Sequence, residues 1–294
     1  KIFKDFEKYP KHAFGYLFGS RGCPYACTFC ESKAMWTRKV RYRSPQNIVE
    51  ELKQLRDFGI NRVSFEDDTF GVSKKNIKAI NNLMHQELPD MTYMCETVVQ
   101  LAKDENVVKD MKHGGCTGVF VGIESGNNEI LKEIKKTQTT DECILAIKNL
   151  KKHGLEATAF IMVGFPTETE ETFKETMDFI PKLSPDNVIF SIFTPYPGSE
   201  LYYECKKMGL IEGEFDVSLY NHASPLNCFT KNIPKERFYE LRKKAFAFVD
   251  NYNKKAKFRR GIASLRNLGL KATWKRVYRH FYSKFLKLTI AKPN

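Results

Sequence analysis

Three cysteines stand close together in Gly22-Cys23-Pro24-Tyr25-Ala26-Cys27-Thr28-Phe29-Cys30, separated by three residues and then by two. A structural zinc site takes four ligands, and this loop offers three. Three thiolates can hold three irons of a [4Fe–4S] cluster, which leaves the fourth iron open to a small molecule. Two plainer readings share the spacing: three unrelated thiols, or half of a zinc site completed by a distant residue. Phe29 would place an aromatic face beside whatever the cysteines hold. Further on, Phe65-Glu66-Asp67-Asp68 sets carboxylates side by side, which is costly unless they are solvated or meet a cation. Asp67 therefore suits a ligand ammonium, with a helix cap or a surface pair as the alternative. In Gly118-Val119-Phe120-Val121-Gly122-Ile123-Glu124-Ser125-Gly126, Glu124 and Ser125 supply acceptor and donor atoms for a polar ligand.

These residues fall in a repeating pattern. Short β-rich runs recur at His12–Gly19, Arg62–Glu66, Thr92–Glu96, Gly118–Ile123, Glu156–Val163 and Asn187–Phe193, with helical periodicity between them. Ser44-Pro45 opens a helix whose apolar face is Ile48, Leu52 and Leu55, closed by Gly59. Ser73 opens the next, with Ile77, Ile80 and Met84 inward. Asp104 and Gly114 bracket a third, Ile144, Ile147 and Leu150 mark a fourth, and two more follow Thr169 and Ser199. Six alternations predict parallel strands with right-handed crossovers. The expected fold is therefore α/β, a partial open (βα)6 TIM-like barrel, with ligands at the carboxyl ends of its strands. The cysteine loop, Asp67 and Glu124-Ser125 all fall at such ends.

Together with Arg41-Tyr42-Arg43-Ser44-Pro45, Gly164-Phe165-Pro166-Thr167-Glu168-Thr169 and Thr194-Pro195-Tyr196-Pro197-Gly198-Ser199, these pieces resemble the radical S-adenosylmethionine superfamily, in its B12-binding (cobalamin-associated) branch, over about residues 12–210. The resemblance implies that Cys23, Cys27 and Cys30 hold the [4Fe–4S] cluster. It implies that Phe29, Asp67, Glu124 and Ser125 contact S-adenosyl-L-methionine. The implied activity is reductive cleavage of that cofactor to a 5′-deoxyadenosyl radical, which abstracts hydrogen. With cobalamin it extends to methylation of a lipid or other metabolite, and an electron donor such as ferredoxin or flavodoxin is implied as partner. Two features depart from the family. Glu96-Thr97 is followed by Val98 where an Arg is common, and no Asp-x-His-x-x-Gly cobalamin motif occurs. Because Lys1 is not an initiator methionine, a cobalamin domain before it is one of two readings, an enzyme that does without cobalamin the other.

Tyr196 could deliver a proton or hydrogen atom from the rim, His222 lies in a loop that either covers the barrel mouth or is simply exposed, and Cys228 is a hydrogen donor or, more simply, packing. Eight cysteines with one close cluster do not make a disulfide framework, and a cytoplasmic, reduced setting fits them. Cys95, Cys116, Cys143, Cys205 and Cys228 read as core. No run of about 18 apolar residues is present, and nothing at the start reads as a signal peptide.

The formal charge of +13 is unevenly placed. Residues 231–294 hold 19 Lys and Arg against 3 Asp and Glu, whereas the first 230 hold 29 against 32. The expected division is thus a barrel over residues 1–205 and a mostly helical, basic extension over 206–294. One helix is expected after Pro234, with Leu241, Ala245 and Phe248 inward. A second carries Trp274, Val277, Tyr278, Phe281, Phe285 and Leu288 on one face and Lys275, Arg276, Arg279, Lys284 and Lys287 outside it. Such a helix packs on the barrel, docks at an anionic membrane face of the cytoplasm, or contacts nucleic acid. The competing functions are a non-catalytic iron–sulfur or zinc protein with a nucleic-acid-binding tail, and a tRNA-modifying enzyme of the same superfamily.

Overall fold

The computed structural model describes residues 8–211, 213–221 and 224–290, without the side chains of His12 and of residues 263–290. The chain enters through a 3-10 turn, Lys11–Phe14, into β1 (Tyr16–Leu17). A small antiparallel ribbon follows, β2 (Ser20–Arg21) with β3 (Arg41–Tyr42), and between its arms lie the cysteine loop and α1 (Ser32–Trp36). Next come α2 (Pro45–Asp57), β4 (Arg62–Phe65), α3 (Lys74–Glu87) and β5 (Thr92–Thr97). Two helices, α4 (Val99–Ala102) and α5 (Glu105–His113), lead into β6 (Cys116–Glu124). Then follow α6 (Asn128–Glu133), α7 (Thr140–Lys152), β7 (Glu156–Val163), α8 (Glu170–Leu183), β8 (Asn187–Ile192), α9 (Glu200–Lys207) and α10 (Lys235–Ile290).

Strands form at all six expected places, the first shortened from His12–Gly19 to Tyr16–Leu17 because Lys11–Phe14 is a 3-10 turn, and they lie in chain order β1-β4-β5-β6-β7-β8, every pair parallel. The two outer strands do not pair with each other, so the sheet stays open as the (βα)6 reading requires. Helix starts fall where the capping residues stand. Ser44 accepts from Asn47 N, Ser73 from Asn76 N, Asp104 from Asn106 N and Val107 N, and Ser199 from Tyr202 N. Each such cap is worth about 1 kcal/mol. Ile48, Val49 and Leu52 of α2 are fully buried, each contributing roughly 1.5–3 kcal/mol.

Alternation separates the two faces of the sheet. Tyr93, Cys95 and Thr97 are buried, and the Tyr93 hydroxyl donates to Asn81 of α3 at 2.8 Å, so this face meets the helices. Met94, Glu96, Phe120, Phe160 and Met162 occupy the opposite, concave face and are only half-buried. Phe120 and Phe160 stack there with ring centres 5.7 Å apart. Four scattered cysteines, Cys95, Cys116, Cys143 and Cys205, are buried as expected, and Cys228 is half-buried.

The chain divides into compact units at Phe246/Ala247, inside α10. Instead of two tail helices there is one, from Lys235 to Ile290. Residues 249–273 contain no proline to stop it, and a glycine at 261 or 269 only weakens a helix. Phe238 and Ala245 are buried with Ile192, and Phe246 packs edge-on against Phe190 of β8, whereas Phe248 is 39% exposed rather than inward. The amphipathic face expected from Trp274 to Leu288 lies outside the described side chains. Among the described residues no helix is long and apolar enough to cross a membrane.

Candidate functional site

The cysteine loop is fastened at both ends by one pair of acids. Asp68 Oδ2 accepts from Gly22 N at 2.8 Å and its Oδ1 from Ser32 Oγ at 3.3 Å, so one carboxylate ties the residue before Cys23 to the second residue after Cys30. Asp67, buried, accepts from Gly19 N at 2.9 Å and from Ser20 Oγ. Burial raises its pKa, against the lowering effect of those donors. Gly22 is required by geometry: its φ is +99°, and a Cβ there would meet the Lys39 carbonyl oxygen at 2.5 Å. Thr28 N donates to Ile134 O at 3.1 Å, and Thr28 O accepts from Leu201 N at 2.9 Å. The loop is thus held by the end of β4, the end of α6 and the start of α9.

Cys23, Cys27 and Cys30 line a single cavity of about 290 Å³ with Tyr25, Lys33, Arg38 and Tyr203. Among the described residues no three His, Cys, Asp or Glu side chains converge tightly enough to hold one metal ion. Three thiols spread around a common hollow instead suit a cluster, which needs one thiolate per iron. Burial pushes the Cys30 thiol up to about 12 and raises Cys27 as well, so metal must displace protons as it loads. A second cavity, about 310 Å³, lies against the same loop and is lined by Phe29, Cys30, Glu31, Met162, Phe193, Thr194 and Tyr196. Cys30 and the carboxyl ends of β7 and β8 meet there. Tyr196, whose pKa burial raises, lies at this wall.

Glu124 ends β6 at a bulge, with φ of +68°, a conformation uncommon outside glycine. Its carboxylate meets Lys136 Nζ at 3.0 Å, and the side chains are 9% and 7% exposed. The pair lies over Gly122, where a Cβ would fall 2.7 Å from Glu124 Oε1. Lys136 Nζ stands 6.0 Å from the centre of the Phe29 ring. Burial alone would lower the lysine's pKa, and the charges of Glu124 and Cys27 reverse that effect to leave it raised. Glu96 on the adjacent strand is raised by burial and then by Glu66 and Glu124.

Ser125 turns elsewhere. Its hydroxyl shares a 3.0 Å hydrogen bond with Thr176 of α8 and accepts from Asn127 N at 3.1 Å. Gly126 N also donates to Thr176 Oγ1, at 3.1 Å. A Cβ on Gly126 would lie 2.4 Å from Phe179 Cβ and 2.8 Å from Thr176 Cα. Gly126→Ala is therefore expected to cost about 1–3 kcal/mol through overpacking against α8. A urea midpoint unchanged from the parent would contradict that contact.

Sequence reading did not single out Lys136, Asp68 or Glu168. Nothing in Lys135-Lys136 tells the buried lysine from its exposed neighbour; Asp68 was visible only as the partner of Asp67. Glu168 is fully buried in the turn after β7, accepts from Gly164 N, and leaves Oε1 without a partner. Burial raises its pKa to about 8. Since the folded pKa exceeds the unfolded one, its stabilising effect is complete below about pH 4.5 and fades as pH rises towards 8. Glu168→Gln, neutral at every pH, should lose less stability than the parent between pH 5 and 9. Parallel melting-temperature profiles across about that range would refute a buried neutral carboxyl.

Comparison with known proteins agrees with this arrangement. A profile described as the Radical SAM superfamily matches residues 17–180, from β1 into α8. The chain belongs to the radical SAM superfamily. Its core is 40% identical over 190 residues to an uncharacterized methyltransferase of Pyrococcus horikoshii, a match covering 64% of this chain and 41% of that protein. It is 30% identical over 210 residues to the anaerobic magnesium-protoporphyrin IX monomethyl ester cyclase of Rubrivivax gelatinosus, covering 70% and 37%. The radical S-adenosylmethionine methyltransferase TsrM of Kitasatospora setae, solved with cobalamin and a [4Fe–4S] cluster, shares the fold with a TM-score of 0.61 at 20% identity, over 66% of this chain and 39% of that one. The chain thus spans about two fifths of the length of the curated relatives it matches. The family implies a [4Fe–4S] cluster and S-adenosylmethionine as cofactors.

Proposed function

We propose that Cys23, Cys27 and Cys30 hold the cluster and that Phe29 and Glu124 border the S-adenosylmethionine beside it. The convergence of three cysteines on one cavity, with Cys30 shared by a second that Phe29 also lines, carries this reading. When bound, the two cofactors supply a one-electron cleavage that yields a 5′-deoxyadenosyl radical for hydrogen abstraction. The protein's part is positional. Asp68 fixes the loop that presents the three thiols. Lys136 holds the Glu124 carboxylate in place and can share it with a ligand hydroxyl or ammonium. Phe29, Met162 and Phe193 present apolar surface that excludes water and leaves a radical few groups to react with. Asp67 and Ser125, expected as cofactor contacts, have polar atoms already engaged within the protein, and they act here by positioning the loop and α8.

The substrate is a small molecule or lipid-linked metabolite, and the outcome is methylation when cobalamin is supplied. The chain's similarity to the uncharacterized methyltransferase of Pyrococcus horikoshii supports that reading. Anaerobic reconstitution with iron and sulfide, reduction with dithionite and chromatography of the products test it. 5′-Deoxyadenosine and methionine are expected in equal amounts; an iron–sulfur protein that cleaves no S-adenosylmethionine would sink it. The basic tail contacts anionic lipid in this reading, motivated by the one-sided aromatic pattern from Trp274 to Leu288. Absence of binding to anionic vesicles at low salt would remove it, and retention on an RNA column would favour nucleic acid.

A further inference from the structure

Around the cysteine cavity the charge differs from the rest of the barrel. Arg21 on β2, Lys33 on α1, Arg38 and Lys39 before β3, and Arg41 on β3 are all exposed. Residues 21–41 contain one carboxylate, Glu31, although the first 230 residues taken together are net negative by three. Among the described residues none of the five cations has a carboxylate partner. Arg43, just beyond, is by contrast paired with Glu51 at 2.5 Å.

Two of the five are arranged on aromatic faces. The Arg21 guanidinium lies 3.6 Å from the centre of the Phe18 ring and 5.9 Å from that of Trp36, and Arg41 lies 5.4 Å from Trp36. Met35 beside them is 62% exposed. Arginine, methionine and aromatic side chains together are what protein interfaces favour over the general surface. Lys33 and Arg38 also line the cavity that the three cysteines share, where the carboxylate of Glu200 is neutralised by Lys135 at 2.5 Å, so this surface borders the redox site directly.

We infer that the face formed by the β2–β3 ribbon and α1 is the docking surface for an acidic protein that donates single electrons. The inference rests on the radical reading above, and it assigns that reading's electron donor a place. One electron would leave the reduced donor, which is oxidised by one equivalent, and would be taken up by the iron–sulfur cluster that Cys23, Cys27 and Cys30 would hold; no bond forms or breaks and no proton moves. Opposite charge at the rim raises the encounter rate and sets orientation more than it raises final affinity, as a carrier that must leave after each turnover requires. Electron-transfer contacts are small, below about 1,200 Å² in all, and a two-stranded ribbon with one short helix fits that scale.

The test uses the reconstituted protein, a reduced flavodoxin as acidic probe, and dithionite as a donor that needs no docking. Lys39→Glu/Arg41→Glu leaves the cavity lining untouched. It is expected to weaken flavodoxin binding, followed by the flavin fluorescence, roughly tenfold or more at low ionic strength. Lys148→Glu/Lys182→Glu, the same charge change placed on α7 and α8, is expected to leave binding within about twofold. In the parent, raising salt from about 0.05 to about 0.5 M should weaken binding by a similar tenfold factor. That measurement needs no variant to fold. Binding unaffected by Lys39→Glu/Arg41→Glu or by salt overturns the inference, as does a short RNA that displaces flavodoxin and whose own binding the same variant abolishes. Dithionite-driven cleavage is read separately: its absence defeats the radical reading, whereas its presence with unaltered flavodoxin binding defeats only the docking surface.

Discussion

Cys27→Ser is expected to strip the reconstituted protein of its iron and inorganic sulfide and to reduce S-adenosylmethionine cleavage to background. The three cysteines share one cavity wall, and Fe–S clusters are held by Cys thiolates rather than hydroxyls. The same loss is expected for Cys23→Ser and Cys30→Ser. Cys205→Ala, in the core beside Leu201 and Ile211, should retain the cluster. Asp68→Ala makes the sharper comparison. It leaves all three thiols in place but frees Gly22 N and Ser32 Oγ, the donors that close the loop at either end. Groups that orient ligands without touching metal typically cost 10–100-fold in affinity or activity when removed. Asp68→Ala should fall in that range, between parent and Cys27→Ser. Iron per chain and product formation check both. Full iron content in Cys27→Ser would show that the loop does not carry the cluster.

What the sequence showed and hid follows from how far each signal reaches. Strands β4 to β8 announce themselves because Val, Ile, Phe and Tyr runs are bounded by Ser, Thr or Asp caps whose side chains bond backbone only a few residues away. Those interactions are local, so local text reveals them. The β2–β3 ribbon was invisible because it has two residues per arm and its partners lie about 20 residues apart. The internal partners of Asp67 and Ser125 stayed hidden for a related reason. A carboxylate at a strand end looks available in sequence, and only the fold shows Gly19, Ser20 and Thr176 already bonded to these side chains. The tail shows the opposite failure. Two apolar stripes, Leu241 to Phe248 and Trp274 to Leu288, were read as two helices, but periodicity reports which face is buried, not whether the backbone continues. Without proline, the helix ran on.

Lys136 had no local signal at all, and its removal should be the most damaging single change outside the cysteines. A buried ion pair stripped of one member leaves an uncompensated charge, which typically costs 3–5 kcal/mol. Lys136→Met keeps much of the side chain's length and removes only the charge, so the Glu124 carboxylate would remain buried without its partner. A loss of about 3–5 kcal/mol in the urea unfolding of the cluster-free protein is expected. Adding Glu124→Gln to Lys136→Met should restore most of that stability, since neither member then carries charge. The two single changes are in contact and will not add, and the coupling from the double-mutant cycle measures the pair itself. S-Adenosylmethionine binding separates structure from function. If Glu124 only balances the lysine, the stable double variant binds the cofactor as the parent does. If Glu124 also meets the cofactor, the double variant recovers its fold and still binds weakly. A cost below about 1 kcal/mol for Lys136→Met would mean that water reaches the pair, and that the enclosure ascribed to this corner of the barrel does not exist.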